Sequence, residues 1–110
     1  MIEKRNHIRS KAIRESARDE SCCWPGCYTL AQCWAHSNLQ SDGKGTGIKA
    51  EDIYGAYLCQ YHHDCYDGRE NTSGEYKNSF DRQWYFDQAM KKSWKKLINK
   101  GIIIVKDYKK

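Results

Sequence analysis

Two short segments, SCCWPGC and LCQYHHDCYDGR, constrain this chain more than any other feature, because cysteines and histidines recur in both at metal-ligand spacing. A structural zinc site takes four sulfur or nitrogen ligands, usually as two pairs from hairpin-like knuckles. One pair is Cys27 with either Cys22 or Cys23, across a Pro25-Gly26 turn. Cys22 gives C-x4-C, Cys23 gives C-x3-C, and both can close. The second pair is Cys59 with His62, a C-x2-H spacing equivalent to C-x2-C, about thirty residues further on. Buried cysteines acting as small hydrophobes are the competing reading. Cys33 and Cys65 have no partner at ligand spacing; the simplest expectation is a core residue and a helix residue without chemical duty.

The alternative use of six cysteines is a disulfide framework, and the compartment decides between the two. No apolar run approaches the ~20 residues that span a membrane, and none behind the amino terminus could serve as a secretion signal. The expectation is a cytoplasmic protein without membrane contact, where thiols stay reduced and metal is the better reading. A length of 110 residues leaves room for one domain with one modest core, and four Trp, eight Tyr and two Phe argue against disorder.

The net charge of +5 is unevenly spread. Residues 1–20 carry six Lys/Arg against four acids, residues 77–110 carry ten against three, and the middle carries three against seven. Basic ends around an acidic centre suit a domain that grips a polyanion and holds cations in between. Solvated helix faces are the bland account of the lysines.

Helical spacing of Ile8, Ala12, Ile13 and Ala17 predicts a basic amphipathic helix over 6–20, with Arg9 and Arg14 on other faces. TLAQCWAHSN has strand composition, SDGKGTG reads as a glycine-rich loop, and IYGAYL predicts a short strand before a helix that opens at LCQYHHDC. ENTSGEY is a polar connection. Phe80, Trp84, Met90, Trp94, Leu97 and Ile98 fit a long helix to Asn99, with Trp84 and Trp94 expected in the core and Gly101 placed to stop it. Ile102–Val105 reads as a short β-branched strand or tail. The single domain thus divides into a basic helix (1–20), a central segment (21–69) and a C-terminal helix with a short strand (76–110).

Adjacent residues on a helix point about 100° apart, so one ion rarely takes both His62 and His63. With His62 assigned to the knuckle, His63 stands one turn before Asp67 on the same face, where the two can reach a second divalent cation.

The succession WAHSN, GKGTGIKAED and YGAYLC-x2-HHD-x2-DGR resembles the YbcO-like nucleases of phages and prophages, which belong with the zinc-bearing HNH, or ββα-metal, endonucleases. The similarity runs from IRSKAIRESARDESC to GIIIV, nearly the whole chain. It implies an α+β fold: a small ββα-metal (His-Me finger) core with a structural zinc knuckle, flanked by a basic N-terminal helix and a long C-terminal helix. It implies His36 as general base, His63 as ligand of a catalytic Mg²⁺ or Mn²⁺ with Asp67 beside it, and Asp52 near the place of the residue that pins the loop and orients the base. It also favours Cys22 over Cys23 as the first zinc ligand. This chain departs from the family in having His62 where Cys is usual and a shorter insert between the first two cysteines. Many HNH sites have Asp where Ala35 stands, so the cation needs a further ligand from Asp64, Asp67 or water.

Phosphodiester hydrolysis needs a base for the attacking water, which a neutral imidazole of ordinary pKa about 6.5 supplies. Such a base contributes about 10²–10⁴-fold, so a bound cation must add electrostatic stabilisation. Lys49, just after the glycine-rich loop, is the candidate contact to the scissile or a neighbouring phosphate, and Arg5, Arg9, Arg14, Lys91 and Lys95 are candidate contacts elsewhere. The expected reaction is DNA cleavage in phage recombination, repair or packaging inside the host cell. Expected partners are DNA, phage recombination or replication proteins, and a second copy if both strands are cut. A binding module that kept the scaffold without catalysis, or a phage accessory protein, is the rival expectation.

Overall fold

The computed structural model describes residues 7–70 and 78–107. It is a small mixed α/β structure: helix α1 (Lys11–Glu15), strand β1 (Cys33–His36), a 3-10 turn (Gln40–Asp42), strand β2 (Gly55–Leu58), helix α2 (Gln60–Tyr66) and helix α3 (Ser79–Asn99). β1 and β2 form a two-stranded antiparallel sheet in the register Cys33–Leu58, Trp34–Tyr57, Ala35–Ala56 and His36–Gly55. The register depends on Gly55, where a Cβ would lie 2.4 Å from Trp34 Nε1 and 2.8 Å from the Ala35 carbonyl. The Trp34 indole passes over this glycine and donates to the Asp52 carbonyl at 2.7 Å.

An isolated two-stranded sheet is marginal in water, so it needs packing against a helix. Here α3 provides it. Phe86, Ala89, Met90, Ser93 and Leu97 recur at helical spacing and are buried against fully buried β2. Ser93 is buried without penalty because its hydroxyl donates to the Ala89 carbonyl and accepts from the Tyr57 amide. α3 starts at Asn78, whose side chain accepts from the Asp81 amide. It ends where Gly101 turns left-handed at φ 77°, with the Gly101 and Ile102 amides closing on the Ile98 and Leu97 carbonyls.

The observed elements depart from the sequence expectations in three places. The basic helix spans only Lys11–Glu15: Ser10 caps it, with its side chain accepting from the Ile13 amide, and the Ser10 amide is itself held by Asp52. Beyond Glu15, Ser16 returns its hydroxyl to the Ile13 carbonyl and Asp19 is left-handed at φ 66°, so the chain turns instead of coiling on. Ile102–Val105 is no strand, because Ile102 is spent in the helix stop and lies against the core with Ile103. Trp84 faces outward at 53 % exposure, as does Phe80 at 80 %, while Trp94 is half-buried and donates to the Ile53 carbonyl. Most of the ENTSGEY connection and Arg5 lie outside the described residues.

Candidate functional site

The knuckle expected from spacing assembles in space. Cys22 is held by its amide on the Thr29 carbonyl, and Cys27 by its amide on the Trp24 carbonyl across a turn with left-handed Gly26. Cys59 caps α2 and His62 stands in its first turn. One donor atom from each of Cys22, Cys27, Cys59 and His62 lies within 4.8 Å of the others, a cluster that could hold a metal ion. His62 Nδ1 is 3.3 Å from Cys59 Sγ and 3.9 Å from Cys22 Sγ, and the Cys27 and Cys59 sulfurs are 4.0 Å apart. The His62 ring stacks on buried Trp24 at 5.2 Å, which fixes the direction of its nitrogen. Burial lowers the pKa of His62 and so favours the neutral, ligand form. The same burial pushes the Cys22 thiol far above its ordinary value, a cost that a bound cation removes. Cys23 is buried on another side, its sulfur against the Ser21 carbonyl, so the choice left open by spacing falls to Cys22.

A second constellation forms around His36, at the end of β1. Its Nε2 is 2.7 Å from Asp52 Oδ1. Asp52 is 1 % exposed and its other oxygen accepts from the Ser10 amide at 2.6 Å, with Arg14 at 3.4 Å and Arg9 at 3.6 Å. Burial alone would raise the Asp52 pKa, but the bonds from His36 and the Ser10 amide outweigh it and hold the carboxyl below its usual range. A carboxylate here makes Nε2–H the donor, which leaves Nδ1 with the lone pair.

The third group lies on α2 and the strand beside it. His63 Nε2 is 3.3 Å from Asp67 Oδ2 and His63 Nδ1 is 3.4 Å from Cys33 Sγ. Hydrogen bonds to Asp67 and Cys33 push His63 up to about 10. Asp67 is lowered: burial opposes this, but bonds from His63 and from Asn38 Nδ2 at 2.9 Å prevail. Arg69 also reaches Asp67, at 3.1 Å. Asp64 is held by Gln60 and by Arg69, which bridges it to Asp67.

One cleft of about 580 Å³ joins the second and third groups, with His36, Asn38, Lys44, Lys49, His63 and Asp67 among its walls. Arg14 also lines it, and Arg9 ties the N-terminal segment to the loop by donating to the Lys49 and Ala50 carbonyls. Lys91 and Lys95 are exposed on α3 and do not line the cleft. Three cleft residues went unnoticed in the sequence as functional positions. Lys44 lies in the glycine-rich loop already singled out, and Asn38 in the WAHSN motif, so their setting was visible. Cys33, expected in the core, packs at its edge with its sulfur facing His63.

Comparison with family models, curated proteins and solved structures returned no match. No helix among the described residues is long and apolar enough to cross a membrane.

Proposed function

We propose that this chain is a divalent-cation-dependent endonuclease of the ββα-metal class, with structural zinc in the Cys22–Cys27–Cys59–His62 cluster. The observation that carries the reading is the single cleft in which a carboxylate-oriented histidine, His36, shares walls with the His63–Asp67 pair. The β1–loop–β2–α2 order, with His36 ending the first strand and His63 on the helix, is the arrangement the YbcO-like resemblance implies.

Zinc fits the knuckle on its donor set. Three thiolates and one imidazole match a closed structural site, and tetrahedral bonds of about 2.3 Å to sulfur require sulfur separations near 3.8 Å. The Cys27–Cys59 separation is 4.0 Å. In the cleft, His63 and Asp67 offer a nitrogen and a carboxylate on one side, a donor set suited to Mg²⁺ or Mn²⁺ completed by water. A bound cation there would stabilise the charge developing on the phosphate and orient the leaving oxygen.

The chain's own groups supply the rest. His36 takes the proton of the attacking water at Nδ1, and Asp52 stabilises the resulting imidazolium through Nε2–H. Lys49 and Lys44 stand where a phosphate backbone would cross the cleft, and Arg14 adds positive charge on the same wall. These are phosphate contacts, which position a strand without reading its sequence. The substrate is DNA, and the setting, by the same resemblance, is phage recombination, repair or packaging.

The test is nicking of supercoiled plasmid with Mg²⁺, Mn²⁺ or EDTA, beside His36→Ala purified identically, with zinc content as the folding control. Cation-dependent nicking by the wild type and a loss of about 10²–10⁴-fold in the variant are expected. Equal nicking by both proteins would refute His36 as the base. DNA binding without cleavage by either would favour a binding module that has the scaffold alone.

A further inference from the structure

Cys33 has no place in the knuckle, yet its sulfur lies on the cleft wall beside His63. A thiol has one hydrogen to give. Cys33 gives it across the sheet to the Leu58 carbonyl, 3.6 Å from the sulfur, its partner in the β1–β2 register. The sulfur is then an acceptor toward His63 Nδ1 at 3.4 Å, and the proton of that contact sits on Nδ1.

Without a cation the ring carries a hydrogen on both nitrogens, Nδ1–H toward Cys33 and Nε2–H toward Asp67. A carboxylate 3.3 Å from Nε2 draws a hydrogen onto that nitrogen, and Nε2–H donating to Asp67 leaves no lone pair for a cation. We propose that Cys33 is a positioning residue for the cation site. By accepting Nδ1–H it keeps that hydrogen on the ring when a divalent cation displaces the Nε2 hydrogen, so that the Nε2 lone pair joins Asp67 in facing the cation. This inference rests on the cation reading of the His63–Asp67 pair.

The hairpin supplies the geometry. Leu58 ends β2 and fixes the thiol hydrogen, while the next residue, Cys59, starts the helix that carries His63, whose amide bonds to the Cys59 carbonyl. Metal-bound histidines usually give their second N–H to a carboxylate, a carbonyl or water, and loss of that partner weakens metal binding about 10–100-fold. Here a sulfur takes the role and orients the ring.

The experiment is Mn²⁺ titration of the zinc-loaded protein, with free Mn²⁺ read by electron paramagnetic resonance, for wild type, Cys33→Ala, Cys33→Ser and His63→Ala. Equal zinc content shows that each variant is folded. Cys33→Ala should weaken Mn²⁺ binding by about 10–100-fold, and Cys33→Ser should recover most of it, since a hydroxyl also donates once and accepts. Ring-nitrogen chemical shifts of His63 in Mg²⁺-saturated protein should show a protonated Nδ1 in the wild type and Cys33→Ser. Wild-type affinity in Cys33→Ala, with loss in His63→Ala, overturns the role of Cys33 and leaves the cation reading standing. Serine no better than alanine, or a bare Nδ1 in the wild type, overturns it as well. A wild type that takes up no Mn²⁺, or a His63→Ala that binds as well, overturns the cation reading and this inference with it.

Discussion

Replacing Asp52 by asparagine probes a buried carboxylate that serves both the fold and the proposed base. Its oxygens accept from the Ser10 amide at 2.6 Å and His36 Nε2 at 2.7 Å, with two arginines within 4 Å. A hydrogen bond to a charged group contributes about 1.5–3 kcal/mol, against about 0.5–1.5 kcal/mol for a neutral one. The isosteric amide has one acceptor oxygen, so it can keep one of the two bonds at neutral strength, and its NH₂ must face the other donor. Exposed Arg9 and Arg14 add little, being solvated. The net loss is about 2–4 kcal/mol at pH 7. Because the folded carboxyl titrates below its unfolded value, this stability is complete above pH ~4 and is lost as pH falls through the lower, folded value; the gap between the two proteins narrows there. Urea unfolding at pH 7 with zinc held saturating measures the gap. A difference under about 0.5 kcal/mol, as a surface substitution gives, would refute the view that Asp52 anchors the N-terminal segment and the His36 ring.

The knuckle assignment separates two neighbouring cysteines: Cys22→Ser should lose stoichiometric zinc and unfold, while Cys23→Ser should retain one zinc per chain by mass spectrometry. Chelation of the wild type should unfold it with a concentration-dependent midpoint, followed by circular dichroism. Gly55→Ala should destabilise by more than about 2 kcal/mol, since the added carbon meets the Trp34 indole and the Ala35 backbone at once. A Gly55→Ala protein with wild-type denaturant midpoint would show that the indole does not cross the hairpin there.

Local signals were legible in the residues. The two ligand pairs sit within short segments, so turn geometry and one helical turn bring each pair together. The long helix and its glycine stop were likewise readable, because capping and periodicity act over a few residues. The His63–Asp67 pair followed from the i, i+4 spacing alone.

Other decisions needed tertiary contacts. Phe80, Trp84 and Trp94 share the helical period with Phe86, Met90 and Leu97, and only the face that meets β2 decides which stripe is core. The first helix is cut short by Ser10, whose amide is engaged by Asp52 forty-two residues away. Spacing allowed Cys22 and Cys23 equally, and the direction in which each thiol leaves the backbone chose between them. The partnership of His36 with Asp52, and of Cys33 with His63, joins residues that only the hairpin register and the seating of α2 bring within bonding distance. Sequence alone therefore determined which chemistry-bearing groups the chain owns and which near neighbours pair. The tertiary structure decided which of them share a cleft, because a hydrogen bond of about 3 Å is set by packing and carries no trace in spacing along the chain.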